Sequence, residues 1–288
     1  MPLTEQRKTE LESLCLQFRK EIVEVLHSIK TGHPGGSLSA VEIVTALYFE
    51  KMNIDPQNPQ MDGRDRFVLS KGHAVPVLYL ALAEKGFFPK EDIKTLRQIG
   101  SHLQGHPCAH KTPGIELSTG PLGLGLGASV GMAIAEKRKK SPATIYTLLG
   151  DGEIQEGVIW EACMAASKYK TDNLVAIVDY NGVQLDGPLD EIMPMGDIAS
   201  KFAAFGWEVI SCDGHDIAAV CDALDKAKAV TGKPAVIIAK TVKGKGVSFM
   251  ENVPLWHYRM PNEQELQVLM EELGLTQQDL GLRGAEAE

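Results

Sequence analysis

The sequence predicts an α/β protein with a doubly wound, mainly parallel sheet that carries helices on both faces. Two apolar, β-rich runs occupy residues 144–149 and 174–178, and a segment with an apolar, helical centre lies between them at 153–168. This alternation is typical of a strand, a crossover helix and a second, parallel strand. Because such crossovers are right-handed, the carboxyl ends of both strands meet at one edge of the sheet.

Polar turns follow both runs. The first run stops at Gly150-Asp151-Gly152, and the second is followed by Asn181 and Val183. A carboxylate, an amide oxygen and a backbone carbonyl are the hard ligands that Mg²⁺ or Ca²⁺ prefers, and the glycines let an anion approach the backbone. One Gly-Asp-Gly alone is usually a turn, but two such breaks at one sheet edge predict a cation that bridges the protein to a diphosphate.

Apolar periodicity predicts the remaining elements. We expect an amphipathic helix over 11–29, within an N-terminal helical segment at 4–30. Ser39 is predicted to cap a second helix, with Glu42 completing a capping box. The predicted helices are 40–51, 74–85, 120–139, 198–205, 217–229 and 263–273, and the further strands are 66–69, 207–210 and 235–239. The many glycines of the 120–139 segment imply close contact with a cofactor or another chain.

Composition limits the possible classes of function. The chain has 288 residues and a formal net charge of −9, which disfavours nonspecific binding to nucleic acid. It contains no apolar run of the ~20 residues that a membrane span needs, and its N-terminus lacks a signal-peptide core. Five cysteines without a Cys-x-x-Cys pair favour a reducing cytoplasm. We predict a single domain over 1–288 with a frayed tail at 281–288.

Four histidines in loops are candidate site residues: His33, His73, His106 and His257. Three of them follow a glycine, and the fourth follows a tryptophan. A neutral imidazole both donates and accepts hydrogen bonds, so a cluster of them suits a sugar with many hydroxyls. Lys243 and Lys245, in a glycine-rich loop, either steer a phosphate or lie in solvent.

The turn Gly150-Asp151-Gly152 followed by Asn181 resembles the thiamine diphosphate motif, which begins with Gly-Asp-Gly and ends at an asparagine some thirty residues later. Residues 5–275 resemble the N-terminal third of transketolases. The resemblance implies that Asp151, Asn181 and the Val183 carbonyl bind Mg²⁺ or Ca²⁺, which holds the diphosphate of thiamine diphosphate.

The resemblance also implies cofactor contacts elsewhere in the chain. Gly120 and Leu122 would cover the cofactor rings, and Glu156 would join a carboxylate network that crosses a subunit interface. Gly150 and Gly152 would approach the diphosphate. The chain departs from the family where Leu124 replaces a frequent glutamine and Tyr258 replaces a glycine.

Each of the four histidines has a catalytic role by resemblance. His33 would lie near the reacting hydroxyls, and His73 would contact the cofactor diphosphate and the donor sugar. His106 would hydrogen-bond the first hydroxyl of the ketose. His257 would face both phosphate and substrate.

The resemblance as a whole implies the N-terminal subunit of a split transketolase. Such an enzyme moves a two-carbon ketol unit from a ketose phosphate to an aldose phosphate. The expected partner is a C-terminal subunit with the pyrimidine-binding domain, in an α₂β₂ tetramer. Two alternatives are the α subunit of a thiamine diphosphate-dependent 2-oxo-acid dehydrogenase and a non-catalytic cofactor-binding subunit. The histidine loops argue against the first, and the combination of those loops with Asp151 and Asn181 argues against the second.

Overall fold

The fold is described from a computed structural model, which covers residues 3–276 and 279–280. In these residues a parallel sheet has the strand order β1-β2-β3-β5-β4. Its strands are Arg66–Leu69 (β1), Ile145–Gly150 (β2), Leu174–Tyr180 (β3), Glu208–Asp213 (β4) and Ala235–Lys240 (β5). The tail at 281–288, which we predicted to fray, lies outside the described residues.

The helices alternate with these strands along the chain. They are Glu5–Ile29 (α1), Pro34–Leu38 (α2), Val41–Ala46 (α3), Val75–Lys85 (α4), Leu124–Arg138 (α5), Gly157–Lys168 (α6), Leu189–Ile192 (α7), Ile198–Ala204 (α8), Ile217–Lys228 (α9) and Glu263–Leu273 (α10). Shorter 3₁₀ turns lie at Gly72–Ala74, Lys90–Thr95, Glu153–Gln155 and Pro254–His257, and a π-helical turn lies at Leu47–Lys51.

The sheet is covered on both faces because side chains of each strand alternate between two cores. Tyr146 and Leu148 of β2 pack into a core that includes Phe18 of α1. Ile145 and Leu149 of the same strand pack into a second core, which is built from α5, α6 and α8. Strands buried on both faces are expected in a parallel sheet. The predicted doubly wound α/β class is confirmed.

The predicted capping box at Ser39 is wrong. Ser39 lies between α2 and α3, and its hydroxyl donates to Asp179 Oδ2 at 2.6 Å and to the carbonyl of Gly36 at 3.2 Å. Glu42 instead forms a buried ion pair with Arg19 at 2.7 Å. The predicted helix 40–51 is therefore α3 followed by the π-helical turn, because tertiary contacts take both polar side chains away from the helix terminus.

The glycine-rich helix also begins later than predicted. Residues 120–123 form a loop with Gly120 and Gly123 at positive φ, and α5 starts at Leu124. Gly125 packs against Ser70 so closely that a Cβ at this position would collide with the serine Oγ. The predicted helix 153–168 is likewise divided, with a 3₁₀ turn before α6. Within the described residues, every helix is too short or too polar to cross a bilayer.

We predict that Phe202 stabilises the core on the α8 face. Its side chain is fully buried, and its ring centroid lies 5.2 Å from that of Trp160 and 5.8 Å from that of Trp207. Phe202→Ala should lower the free energy of unfolding in urea by about 3–5 kcal/mol, since it leaves a cavity. Tyr169→Ala, at an aromatic that is 49% exposed, should change it by no more than about 0.5 kcal/mol. Equal losses in the two variants would contradict this role.

Candidate active site

The carboxyl edge of the sheet brings the predicted cation ligands together. Asp151 follows β2 and Asn181 follows β3, the strand paired with it. Asp151 accepts hydrogen bonds from the backbone N–H of Gly152 at 2.8 Å and of Gly182 at 2.5 Å. Asn181 Oδ1 accepts from the N–H of Val183 at 3.1 Å. The parallel pairing of β2 with β3 therefore joins residues about thirty positions apart at one point.

A cavity of about 380 Å³ opens at this edge. Its walls come from the turns after β1, β2 and β3, from α2 and from the loop after β5. The lining residues predicted from the sequence are His33, His73, Gly120, Leu122, Gly150, Asp151, Gly152, Glu156, Asn181, Val183 and His257. Residues that the sequence analysis did not place there include Lys71, Glu153 and Gln155, and the cavity also reaches Lys243. Only His106 of the predicted residues lies outside this lining.

Three of the histidines form one cluster in the cavity. The ring centroids of His33 and His73 are 5.3 Å apart, those of His33 and His257 are 5.3 Å apart, and those of His73 and His257 are 5.0 Å apart. Burial and nearby cations lower the pKa of His33 to about 4 and that of His257 to about 3, and the pKa of His73 also falls well below its ordinary value. The cluster is therefore uncharged at neutral pH.

His106 flanks this cluster on its exposed side. Its ring centroid lies 6.2 Å from that of His33, and its side chain borders Gly120. The backbone carbonyl of His106 accepts a hydrogen bond from the Tyr79 hydroxyl at 3.2 Å. Burial and the charge of Arg97 lower its pKa too. His106 is thus placed to meet a molecule that extends from the cavity toward solvent.

A buried ion pair lies beneath the cavity. Lys71 and Asp179 are almost completely inaccessible to solvent and are in direct contact. Lys71 also donates to the carbonyl of Gly36 at 2.9 Å, and Asp179 accepts from the hydroxyls of Ser39 and Thr241. Although burial opposes ionisation, these donors hold the pKa of Asp179 below its ordinary value. The pair therefore stays charged and joins the loops that carry the site.

The structure separates the two lysines that the sequence analysis treated together. Lys243 is buried, and its ammonium donates to the carbonyl of Val183 at 3.0 Å and to His257 Nδ1 at 3.0 Å. Burial lowers its pKa to about 8, although Asp151 opposes the change. Lys245 instead pairs with Glu251 at 3.2 Å near the surface. Lys243 therefore belongs to the cavity, and Lys245 does not line it.

Two glutamates near Asp151 have different surroundings. Glu153 is buried and accepts hydrogen bonds from the Ser70 hydroxyl at 2.5 Å and from the N–H groups of Gly123 and Gly150 at 2.9 and 3.0 Å. Burial raises its pKa, and these bonds oppose the rise. Glu156 is exposed at the cavity mouth, at the N-terminus of α6. Glu153 thus fixes the turns around the cavity, whereas Glu156 faces outward.

The donor groups at the sheet edge fit a cation with a diphosphate. Among the described residues, no three His, Cys, Asp or Glu side chains are grouped to hold a metal by themselves. A cation here would rely on Asp151, the Asn181 amide, a backbone carbonyl and ligand phosphates, which is the oxygen-rich set that Mg²⁺ prefers. Burial and neighbouring Asp179 raise the pKa of Asp151 to about 6, so a bound cation would stabilise its ionised form.

Sequence reasoning missed Lys71, Asp179 and Arg97 as parts of the site. Lys71 stands next to the glycine-histidine pair that drew attention, and Asp179 is a charged residue within an otherwise apolar strand. An acidic residue in a strand buried on both faces indicates a buried partner, but it does not identify that partner. Arg97 carries no comparable signal, since its neighbours are distant in the sequence except for residues 103 and 105.

Comparison with known proteins gives consistent results. Residues 13–283 match the family model described as transketolase, thiamine diphosphate binding domain. The chain is 44% identical over 268 residues to the 6-deoxy-6-sulfo-D-fructose transketolase subunit SqwG of Clostridium sp. (strain MSTE9), which covers 93% of this chain and 98% of that protein. It is 45% identical over 265 residues to an apulose-4-phosphate transketolase subunit of Actinobacillus succinogenes, with 92% and 96% covered.

Solved structures agree. Transketolase from Leishmania mexicana superimposes with a TM-score of 0.87 and 31% sequence identity over 93% of this chain. The chain spans 42% of that protein, so it corresponds to one part of the longer transketolase. Together these findings confirm the resemblance to the transketolase family and to its split members. This chain belongs to the transketolase family and carries its thiamine diphosphate-binding domain.

Proposed function

We propose that this chain is the cofactor-binding subunit of a split transketolase, which transfers a two-carbon ketol unit from a ketose phosphate to an aldose phosphate. The observation that carries this proposal is the cluster of neutral histidines beside the Asp151–Asn181 edge in one cavity. The edge suits a cation and a diphosphate, and the cluster suits a polyhydroxy sugar. The names of the relatives support the same class of reaction.

At the inner end of the cavity, the chain holds the charged part of the cofactor. Asp151, Asn181 and the Val183 carbonyl would bind Mg²⁺ or Ca²⁺, and Gly150 and Gly152 leave room for the phosphate oxygens. Lys243 and His73 contribute positive charge and hydrogen-bond donors next to them. When bound, thiamine diphosphate supplies the carbanion chemistry that cleaves the bond next to the ketose carbonyl.

At the outer end, the histidines bind and orient the sugar. Because the pKa values of His33 and His257 are low, their rings are neutral and can donate one hydrogen bond and accept another. They would take a proton from a hydroxyl and return it within one turnover, as general bases and acids. His106 would hydrogen-bond the first hydroxyl of the ketose.

A second subunit is proposed to complete the site. Glu156, Leu122 and Leu185 stand exposed at the cavity mouth, where the two leucines are 41% and 47% exposed. Gly120 and Leu122 would cover the cofactor rings there. A partner with a pyrimidine-binding domain would close this mouth and supply the carboxylate that the aminopyrimidine needs, in an α₂β₂ tetramer. The names of both relatives include the word subunit, which supports such an assembly.

The 2-oxo-acid dehydrogenase alternative is not favoured. Its substrates carry no run of hydroxyls, so they give no reason for three clustered histidines and a fourth beside them. A non-catalytic role would likewise leave the cluster unexplained. The two relatives are named for different sugars, and we propose a sugar phosphate as the substrate class here. We place the reaction in the cytoplasm, a choice supported by the five free cysteines.

We predict that Asp151→Ala abolishes Mg²⁺-dependent binding of thiamine diphosphate without unfolding the chain. Loss of an outer-sphere group often weakens metal binding about 10–100-fold, so loss of a ligand should exceed that range. Titration calorimetry on the assembled enzyme measures the affinity, and circular dichroism checks the fold. Asp190→Ala, at an exposed acid near the site, is the control. Unchanged affinity in a folded Asp151 variant would remove this residue from the cation site.

We predict that His106→Ala lowers turnover of the ketose far more than cofactor affinity, because its proposed contact is with the substrate. Loss of one hydrogen bond to a reacting group costs about 1–3 kcal/mol, or roughly 5–150-fold in kcat/KM. Steady-state kinetics with the ketose donor give this value, and His110→Ala serves as an exposed histidine control. Wild-type rates in the His106 variant would refute the assignment.

A further inference from the structure

Arg97 lies beside the histidine cluster but outside the cavity lining. Its Nη1 donates to the Thr31 hydroxyl at 2.9 Å, and its Nη2 lies 3.4 Å from His33 Nδ1. The ion pairs found among residues 3–276 and 279–280 do not include Arg97. Its positive charge is therefore directed at the histidines instead of being neutralised by a carboxylate.

The backbone holds this guanidinium in place at some conformational cost. Arg97 has a φ of +61°, a left-handed conformation that non-glycine residues rarely adopt, and its N–H donates to the carbonyl of Leu103 at 2.9 Å. A Cβ on Gly105 would lie only 3.0 Å from Arg97 Nε, so the glycine leaves room for the guanidinium plane. The strained φ, the glycine and the Thr31 hydroxyl all fix the same group.

The contact with His33 determines which ring nitrogen carries the proton. A guanidinium has donors only, so His33 Nδ1 must accept, and the neutral ring then has its hydrogen on Nε2. Nδ1 is occupied by Arg97, which leaves Nε2 as the nitrogen available to a molecule in the cavity.

We propose that Arg97 is a positioning residue that holds His33 as the neutral Nε2–H tautomer, so that His33 presents a hydrogen-bond donor to the substrate oxygen. The part of this statement that concerns substrate rests on the proposed function, whereas the tautomer does not. Arg97 would then act through His33 without touching the reacting atoms.

The electrostatics of the neighbourhood agree with this role. His33 faces His73, His106 and His257, as well as the ammonium of Lys243 and the guanidinium of Arg97. Burial lowers the pKa of His33 most, and Arg97 is the next cause. Since the folded-state pKa is depressed, His33 stays neutral until the pH falls toward 4, and removal of the guanidinium should raise that midpoint.

The test is histidine NMR on the full chain. The chain is labelled with ¹⁵N-histidine, and long-range ¹H–¹⁵N correlations report tautomer and titration midpoint. His33→Gln identifies the His33 signals. We expect the Nε2–H tautomer in the wild type, with Nδ1 shifted as an acceptor. Arg97→Met, which removes donor and charge, should mix the tautomers and raise the midpoint by about one pKa unit.

Further variants separate this role from a structural one. Arg97→Lys should restore the low midpoint in part, because it keeps the charge, and Thr31→Val should loosen the tautomer preference with Arg97 still present. Lys94→Gln, at an exposed cation of the same segment, should leave both readouts unchanged. If Arg97→Met does not fold, Arg97→Lys and Thr31→Val carry the test. An Nδ1–H tautomer in the wild type would overturn the proposal, as would a midpoint that no Arg97 variant moves.

In the assembled enzyme, Arg97→Met should lower kcat/KM for the ketose about tenfold and move the acidic limb of the pH profile to higher pH. Cofactor affinity should be unchanged. Because the NMR measurement needs no turnover, absence of ketol transfer in the wild-type assembly would contradict the proposed function, and the tautomer would still decide the role of Arg97.

Discussion

The buried pair of Lys71 and Asp179 is the interaction on which the site depends. Asp179 is in β3, and the groups bonded to the pair come from the turn after β1, from α2 and from the residues that follow β5. The loops that carry the histidine cluster are therefore tied to one carboxylate. Removing one partner of a buried ion pair leaves an uncompensated charge, which typically costs about 3–5 kcal/mol. The pair thus couples the stability of the sheet to the geometry of the cavity.

Charge is distributed around the cavity so that its two ends have different chemistry. Acidic Asp151 and the amide and carbonyl oxygens near it lie at the sheet edge, where a cation fits. The ammonium of Lys243 and the guanidinium of Arg97 border the histidines, and with burial they keep those rings uncharged. One end therefore suits a charged diphosphate, and the other suits neutral hydroxyls, within a single cavity.

Much of the fold could be predicted from the sequence, because strand and helix patterns are local. The predicted strand at 66–69 and helix at 263–273 match the structure, and the neighbouring positions of Asp151 and Asn181 follow from one strand-helix-strand unit. The predictions failed where a distant partner decides the outcome. Ser39 has the sequence of a helix cap, but its hydroxyl bonds an aspartate 140 residues away. The role of Arg97 likewise depends on a loop far from it in the chain.

The division of the site between this chain and a second subunit can be tested most directly by a ketol-transfer assay. The purified chain is given Mg²⁺, thiamine diphosphate, a ketose phosphate and an aldose phosphate, first alone and then with the pyrimidine-binding subunit. We expect no turnover by the chain alone and restored turnover in the mixture, because the carboxylate that activates the cofactor would come from the partner. Robust turnover by the isolated chain would contradict this division and would require that carboxylate to lie within these 288 residues.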